Sequence, residues 1–406
     1  MPEAVIVAAA RSPIGRATKG SLRDVRPDDL AAAIVRAALD QVPHLDPGEL
    51  DDLMLGCGQP AGEQGHNLGR VVATLLGLDH LPGTTVNRYC SSSLQTTRMA
   101  LHAIRAGEGH AFVSAGVECV SRYPNGRADG HPGTTNPTFA GALTRTATRA
   151  GGDAPPWQDP RREGLLPDVY IAMGQTAENV AQLRGVTRQR QDEFAVRSQN
   201  LAEKALADGF WAREITPVTV PDGTVVAADD GPRAGVTMES VAALAPVFRP
   251  DGTVTAGNCC PLNDGAAALV VMSDVRAREL GITPLARIIA TGLSALSPEI
   301  MGLGPVEASR QALRRAGMSI RDVDLVEINE AFAAQVVPSA EELGVDWDRL
   351  NVNGGAIAVG HPFGMTGARI TTTLINSLRW HDRQIGLETM CVGGGQGMAM
   401  IVERLS

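Results

Sequence analysis

Apolar and polar positions change period several times along the chain, and the changes outline its secondary structure. Near the start, "AVIVAAA" (4–10) is an unbroken apolar run with the length of a buried strand. "PDDLAAAIVRAAL" (27–39) has helical apolar spacing, with Pro27 and two aspartates at its beginning, as helix starts do. "DDLMLGC" reads as a strand, "NLGRVVATLLG" as a helix and "GTTVN" as a strand. A longer helix near Ser91 and the strand "HAFVSAGVE" come next. Such alternation predicts an α/β fold with a mostly parallel sheet covered on both faces.

The texture changes at about Arg122. Residues 123–168 are rich in Gly, Pro, Asp, Arg and Thr and carry no clear period. A helical block follows, "GQTAENVAQLRGVTRQRQDEFAVRSQNLAEKAL". The whole reads as an insertion, a kind of segment that often carries substrate contacts. The earlier pattern then returns. "AIVRAALDQVPHLDPGELDDLMLG" and "EASRQALRRAGMSIRDVDLVEINE" are each a helix, a short linker, an acidic turn and a buried strand. "HAFVSAGVECVS" has a counterpart in kind in "GLETMCVGGGQG". Two similar α/β halves with an insertion after the first is the architecture expected. A chance likeness between common βα units is the alternative.

Composition narrows the function classes. The chain has 406 residues, 44% hydrophobic and only 3% aromatic, so two or three domains with cores of small aliphatic side chains are expected. A net charge of −9 argues against nucleic acid as a partner. Lysine occurs only at Lys19 and Lys204, so a bound phosphate would meet arginine or backbone amides. The first apolar run is too short to span a membrane, and no charged segment precedes it as in a signal peptide. Cys57, Cys90, Cys119, Cys259, Cys260 and Cys391 form no C-x-x-C pair. Neither a disulfide framework nor a metal site is expected, and the chain reads as cytoplasmic with reduced thiols.

Four stretches carry candidate chemistry. In "VNRYCSSSLQTTRMALHAIRAG" (86–107), Cys90 stands at the predicted start of a helix. Unpaired amides and the helix dipole favour a thiolate there, so a depressed thiol pKa is expected. Ser91–Ser93 would leave room for an acyl group and let backbone approach closely. A buried structural cysteine is the alternative. In "NVNGGAIAVGHPFGMTGAR" (351–369), His361 lies in a glycine-rich turn before a helix, where it could take a proton from a thiol or donate to an oxyanion. The other histidines (44, 66, 80, 102, 110, 131, 381) look like surface residues. "ETMCVGGGQGMAMIVE" (388–403) runs Cys391 into three glycines, which a β-turn with a core cysteine would also explain. In "EINEAFAAQ" (327–335), Asn329 follows a buried strand, either as a helix cap or as a holder of water at a reaction centre.

Together, "NRYCSSS", "NEAFA", "GGAIAVGHPFGMTGAR" and "CVGGGQGMAM" closely resemble the thiolase family, in this order and spacing. "MGQTAENVA" and "GTVTAGN…LNDGAAA" extend the resemblance, which runs from Ala4 to Glu403. It implies a thiolase fold: two similar βαβαβ halves forming a five-layered αβαβα core, with an inserted loop domain. The implied division is 1–121 with 247–273, then 122–246 as the insertion, then 274–406. It implies an acyltransferase that cleaves 3-ketoacyl-CoA with CoA through an acyl-cysteine. By resemblance Cys90 is the nucleophile, His361 its base and an oxyanion donor, and Cys391 the acid/base at the α-carbon. Asn329 would hold a water of one oxyanion hole, and the N–H groups of Cys90 and Gly393 would form the other. Met173, Phe248, Ala256, Gly257, Cys260, Ala331 and Phe332 would line the CoA path. CoA is then a substrate, no tightly bound cofactor or metal is implied, and a homodimer or homotetramer is expected.

Two departures bear on the substrate. Acetoacetyl-specific members carry His-Met-Gly where this chain has Ala172-Met173-Gly174, and many members have serine where Cys260 stands. The main reading is a degradative 3-ketoacyl-CoA thiolase. An acetyl-CoA acetyltransferase working in the synthetic direction is the runner-up. A decarboxylating ketosynthase would need a second histidine in place of Cys391. A non-catalytic CoA- or lipid-binding relative would have no use for Cys90, Asn329, His361 and Cys391 together.

Overall fold

In the computed structural model, which describes residues 1–126, 129 and 133–406, the first apolar run is strand β1 (Ala4–Arg11). The first half continues with α1 (Pro27–Leu39), β2 (Asp52–Gly56), α2 (Leu68–Leu75), β3 (Gly83–Val86), α3 (Ser92–Ala106) and β4 (Ala111–Cys119). The chain then leaves for α4 (Ala140–Ala150), α5 (Met173–Arg184) and α6 (Arg188–Ala207), and returns through β5 (Asn263–Ser273). The second half runs β6 (Ala286–Ala295), α7 (Gly304–Ala316), β7 (Leu325–Ile328), α8 (Ala333–Leu343), α9 (Thr366–Trp380), β8 (Ile385–Val392) and β9 (Gln396–Arg404).

The strand order is β7-β8-β9-β6-β1-β5-β4-β2-β3. On either side of the β6/β1 junction the sequence of connections is the same, so the repeat seen in the sequence is a repeat of topology. β3, parallel to β2 at the edge of the first half, has only a single bridge between Val326 and Leu350 as its counterpart. The junction itself is two residue pairs, Val5 with Arg287 and Ile6 with Ala286. The expected mostly parallel sheet is corrected. Only β2/β3, β2/β4 and β7/β8 are parallel, and the remaining ladders of this sheet are antiparallel. Each half ends in an antiparallel strand pair, β4 with β5 across the long intervening segment and β8 with β9 directly. For β8 and β9 the reversal is the glycine turn itself, with Gly394 and Gly395 at φ +76° and +79°.

Strand alternation sorts the core into layers. Along β5, Ala267, Leu269 and Val271 point to one cluster, and Ala266, Ala268, Val270 and Met272 point to another. β9 does the same, with Met398, Met400 and Val402 on one side and Ala399 and Ile401 on the other. The shared cluster is the central one, where α3 and α9 pack against each other between the two halves. α1 and α2 cover the outer face of the first half, and α7 and α8 cover that of the second. The result is five layers, αβαβα.

The segment between β4 and β5 lies over this core and is tied to it. Arg11 is fully buried at the end of β1. Its guanidinium bonds Glu214 through Nε (2.6 Å) and Asp229 through Nη1 and Nη2 (2.6 and 3.0 Å). Removing one partner of such a buried pair typically costs about 3–5 kcal/mol. α4 lies inside the stretch that shows no period in the sequence. Only its Ala142 is buried, so no apolar stripe marks it.

Candidate active site

Cys90 lies in a single 3-10 turn, Tyr89–Ser91, that leads into α3. The turn is held by its own polar groups. Ser92 Oγ accepts from the Arg88 N–H (2.9 Å) and donates to the Tyr89 carbonyl (2.6 Å). Tyr89 takes a left-handed conformation, φ +43°, which a non-glycine residue rarely adopts. Gly393, which follows β8, packs against the Tyr89 ring, and its amide and that of Cys90 favour the thiolate form of Cys90. Amides from the two halves of the molecule thus act on one thiol.

The three serines do not line a substrate space. Ser91, Ser92 and Ser93 are fully buried, and Ser93 Oγ accepts from the Ala368 N–H of α9 (2.9 Å). Their small size serves packing: a side chain at Gly56 would lie 2.4 Å from the Ser93 nitrogen. The expected depression of the Cys90 pKa is also corrected. Burial pushes the thiol up to about 11, and the two amides offset only part of that rise. Cys391, at the end of β8, is fully buried and rises further, through burial and then through the neighbouring Cys90. Burial, then Cys259, Cys90 and Cys391, push the Cys260 thiol up, so four thiols share one neighbourhood. All six cysteines are free.

His361 comes from the second half, five residues before α9. It is 1% exposed. Gly360 before it has φ +113°, and a side chain at Gly364 would lie 2.3 Å from the Val117 carbonyl oxygen, so this loop can press against β4 only with glycine there. The His361 N–H donates to Asn263 Oδ1 (2.9 Å). Its Nε2 is 3.2 Å from Asn329 Nδ2, and its Nδ1 is 2.6 Å from Thr366 Oγ1. Burial, then the positive Arg369, lowers its pKa to about 3, so the ring is neutral and suited to accept a proton. Asn329 is not a helix cap, because α8 starts at Ala333 with Phe332 in the capping position. Its Oδ1 is buried with no protein partner, which fits a bound water.

Glu118 on β4 is a site residue that sequence reasoning missed. It is fully buried. Oε2 accepts from the N–H groups of Gly58 (2.7 Å) and Gly364 (3.0 Å). Oε1 accepts from Gln64 Nε2 (2.8 Å), Tyr123 Oη (3.0 Å) and the Gln59 N–H (3.2 Å). One carboxylate therefore joins the Gln59 loop to the His361 loop. The signal for it was a lone acid inside an otherwise apolar strand.

The CoA-path residues fall into two groups. Phe248 and Phe332 meet edge to face at 6.1 Å, and Met173, Cys260 and Ala331 belong to the same cluster. The Ala331 carbonyl accepts from the Cys260 N–H (3.0 Å). Ala256 and Gly257 instead line a cavity of about 320 Å³ with Arg16, Arg233, Ser240 and Leu244. No acidic residue lines it, and the two arginines were not singled out from the sequence. A larger cavity of about 580 Å³, beside α4, touches none of the cysteines or His361. Histidines 44, 66, 80, 102, 110 and 381 are exposed as expected, and His131 lies outside the described residues.

The thiolase N-terminal domain model matches residues 4–275, and the thiolase C-terminal domain model matches residues 282–404. The chain belongs to the thiolase family. This thiolase is 42% identical to the 3-ketoacyl-CoA thiolase of Bacillus subtilis (strain 168), over 99% of its own length and all of that protein. It is 41% identical to the β-ketoadipyl-CoA thiolase of Acinetobacter baylyi, with both chains covered in full. Its structure superposes on that of the Bacillus anthracis acetyl-CoA acetyltransferase with a TM-score of 0.86 at 39% identity, covering 100% of this chain and 99% of the other. The thiolase is an acyltransferase with CoA-dependent chemistry, and CoA is its substrate. Among the described residues no cluster of three or more His, Cys, Asp or Glu is arranged to hold a metal, and no helix is long and apolar enough to cross a membrane.

Proposed function

We propose that this thiolase cleaves 3-ketoacyl-CoA into acetyl-CoA and a shortened acyl-CoA, with Cys90 as nucleophile. The observation that carries the reading is the meeting of the two halves at Cys90, where the Gly393 amide and the Cys391 thiol act on its thiol and Gly393 packs against Tyr89, while the second half also holds His361 and Asn329 paired at 3.2 Å. His361 Nε2 takes the thiol proton, and Cys90 attacks the 3-keto carbon. The oxyanion formed there lies at the two amides. Collapse breaks the C2–C3 bond, and its electron pair becomes the enolate of acetyl-CoA. Protonated His361 and a water on Asn329 hold the enolate oxygen, while Cys391 gives its proton to C2. Acetyl-CoA leaves. Cys391, now a thiolate, takes the proton of an incoming CoA thiol, whose sulfur attacks the Cys90 thioester; the shortened acyl-CoA leaves, and the Cys90 thiolate set free takes back the proton held by His361. The cycle is ping-pong.

The arginines of the smaller cavity support CoA binding, with Arg16 and Arg233 facing its phosphates and Ala256 and Gly257 beneath the adenine end. Residues 122–246 act as the inserted unit that closes over CoA, between a first half of 1–121 with 247–273 and a second half of 274–406. The enzyme works in the cytoplasm as a homodimer or homotetramer. β3 supports self-association, since it is a half-buried edge strand with one side unpaired in this sheet. The synthetic reading, condensation of two acetyl-CoA, is favoured by the structural likeness to an acetyl-CoA acetyltransferase. Thiolysis of acetoacetyl-CoA and of a medium-chain 3-ketoacyl-CoA, followed as loss of substrate, separates the two. Cleavage of the longer substrate at least as fast supports degradation, and turnover of acetoacetyl-CoA alone would promote synthesis.

A further inference from the structure

The environment of His361 determines which of its nitrogens carries the proton. Nδ1 lies 2.6 Å from Thr366 Oγ1, and Thr366 Oγ1 lies 2.7 Å from the Pro362 carbonyl oxygen. A hydroxyl has one proton. The carbonyl can only accept, so that proton goes to Pro362, and Thr366 Oγ1 is left as an acceptor toward the imidazole. Nδ1 must then be the protonated nitrogen. Nε2 keeps its lone pair, consistent with the Asn329 amide nitrogen placed 3.2 Å away as a donor. His361, Asn329 and Thr366 are all buried, away from bulk solvent.

We infer that Thr366 is a positioning residue that locks His361 in the Nδ1–H form, with the Nε2 lone pair on the side of Asn329. The inference rests on the proposed role of His361 as the base for Cys90. Without the Thr366 acceptor, the neutral ring has no partner for an Nδ1 proton and shifts toward the Nε2–H form. That form offers Cys90 a donor where an acceptor is needed. Holding the correct tautomer is worth from about tenfold to about 10⁴-fold in rate in comparable histidine sites. Thr366 also keeps the ring in place after proton transfer, because the imidazolium still donates from Nδ1.

Three variants and one spectroscopic measurement test this. Thr366→Val keeps the size of the side chain and the backbone bond from the residue 366 N–H to the Pro362 carbonyl (3.0 Å). It is expected to lower kcat at least about tenfold with little change in KM. Thr366→Ser restores the acceptor and is expected to stay within about threefold of the parent, the rescue that a packing role would not give. His361→Ala tests the underlying reading. If that variant keeps full thiolysis, the base assignment fails. If it is inactive while Thr366→Val is unaffected, or if Val and Ser lose equally, only the role of Thr366 fails. Should Thr366→Val not fold, side-chain ¹⁵N NMR of histidine-labelled parent enzyme decides, with the His361 signal assigned by its loss in His361→Ala. A protonated Nδ1 is expected, and a protonated Nε2 overturns the inference.

Discussion

Glu118→Gln is the most informative single change outside the proposed catalytic groups. The substitution preserves shape and removes the charge. It also turns one acceptor end into a donor. If the new NH₂ takes the place of Oε2, it meets the Gly58 and Gly364 N–H groups, two donors at 2.7 and 3.0 Å. If it takes the place of Oε1, it meets Gln64, Tyr123 and Gln59. The milder outcome loses two hydrogen bonds to a charged group, each worth roughly 1.5–3 kcal/mol. Relief from burying a charge returns part of this, since burial raises the Glu118 pKa against the pull of its donors. A net loss of about 2–4 kcal/mol remains. At roughly 2.1 cal/mol/K per residue, that corresponds to a fall in Tm of about 2–5 °C. The Gly364 amide lies three residues past His361, so kcat for thiolysis should fall as well, by about tenfold or more. Scanning calorimetry and steady-state thiolysis on the same preparation are the measurements. A variant with unchanged Tm and kcat would show that the carboxylate does not hold the His361 loop.

Four further outcomes are expected. Cys391→Ala should spare acylation of Cys90 by a simple acyl-CoA, seen by intact mass, far more than it spares thiolysis; equal loss of both would mean that its role is misassigned. Burial pushes the Glu388 carboxyl up to about 8, so its ionisation costs folding free energy that grows as pH rises from about 4.5 to 8. Glu388→Gln, which keeps an acceptor for Thr371 Oγ1 (2.7 Å), should therefore raise Tm at pH 8 and do little at pH 5, and a lowered Tm at pH 8 would show an ionised Glu388 paired with Arg369. Arg233→Ala should raise KM for CoA by about tenfold with kcat nearly kept, as loss of one charged phosphate contact predicts, and an unchanged KM would move the phosphates elsewhere. Ala172→His should shift kcat/KM toward acetoacetyl-CoA and away from longer substrates, since each methylene is worth roughly 1–3 kcal/mol in an apolar pocket, and an unchanged ratio would remove residue 172 from chain-length selection.

Legibility in the sequence followed the range of the interaction. The boundaries of β1 and α1 were readable because apolar period and helix-start signals are local. Cys90, His361, Cys391 and Asn329 stood out through motifs of a few residues each. Strand direction was not readable, because periodicity is the same in parallel and antiparallel strands. "CVGGGQG" held the one local cue, three glycines between two apolar runs, for the β8/β9 hairpin. The Cys90 pKa was misread because the helix start is a local effect, whereas the burial that outweighs it comes from β8 and α9, far away in sequence. Glu118 and Thr366 were missed for related reasons. The partners of Glu118 span residues 58 to 364, and the role of Thr366 depends on which way one hydroxyl points.

The pairing of the halves also constrains how the reaction can start. Cys90 precedes α3, and His361 precedes α9, the central helix at the matching place in the second half. Neither half alone holds both groups. α3 and α9 pack against each other, and both groups are buried. Burial acts on the two groups in opposite senses: it raises the thiol to about 11 and lowers the imidazole to about 3. Both shifts favour a neutral thiol and a neutral imidazole at rest. On the proposed roles, proton transfer becomes favourable only as negative charge passes from sulfur to the substrate oxygen, where the Cys90 and Gly393 amides receive it. A thiol that ionises only alongside its substrate is protected from oxidants and adventitious electrophiles between turnovers. On the proposed roles, burial of Cys90 thus outweighs the helix start and confines its reactivity to the bound complex.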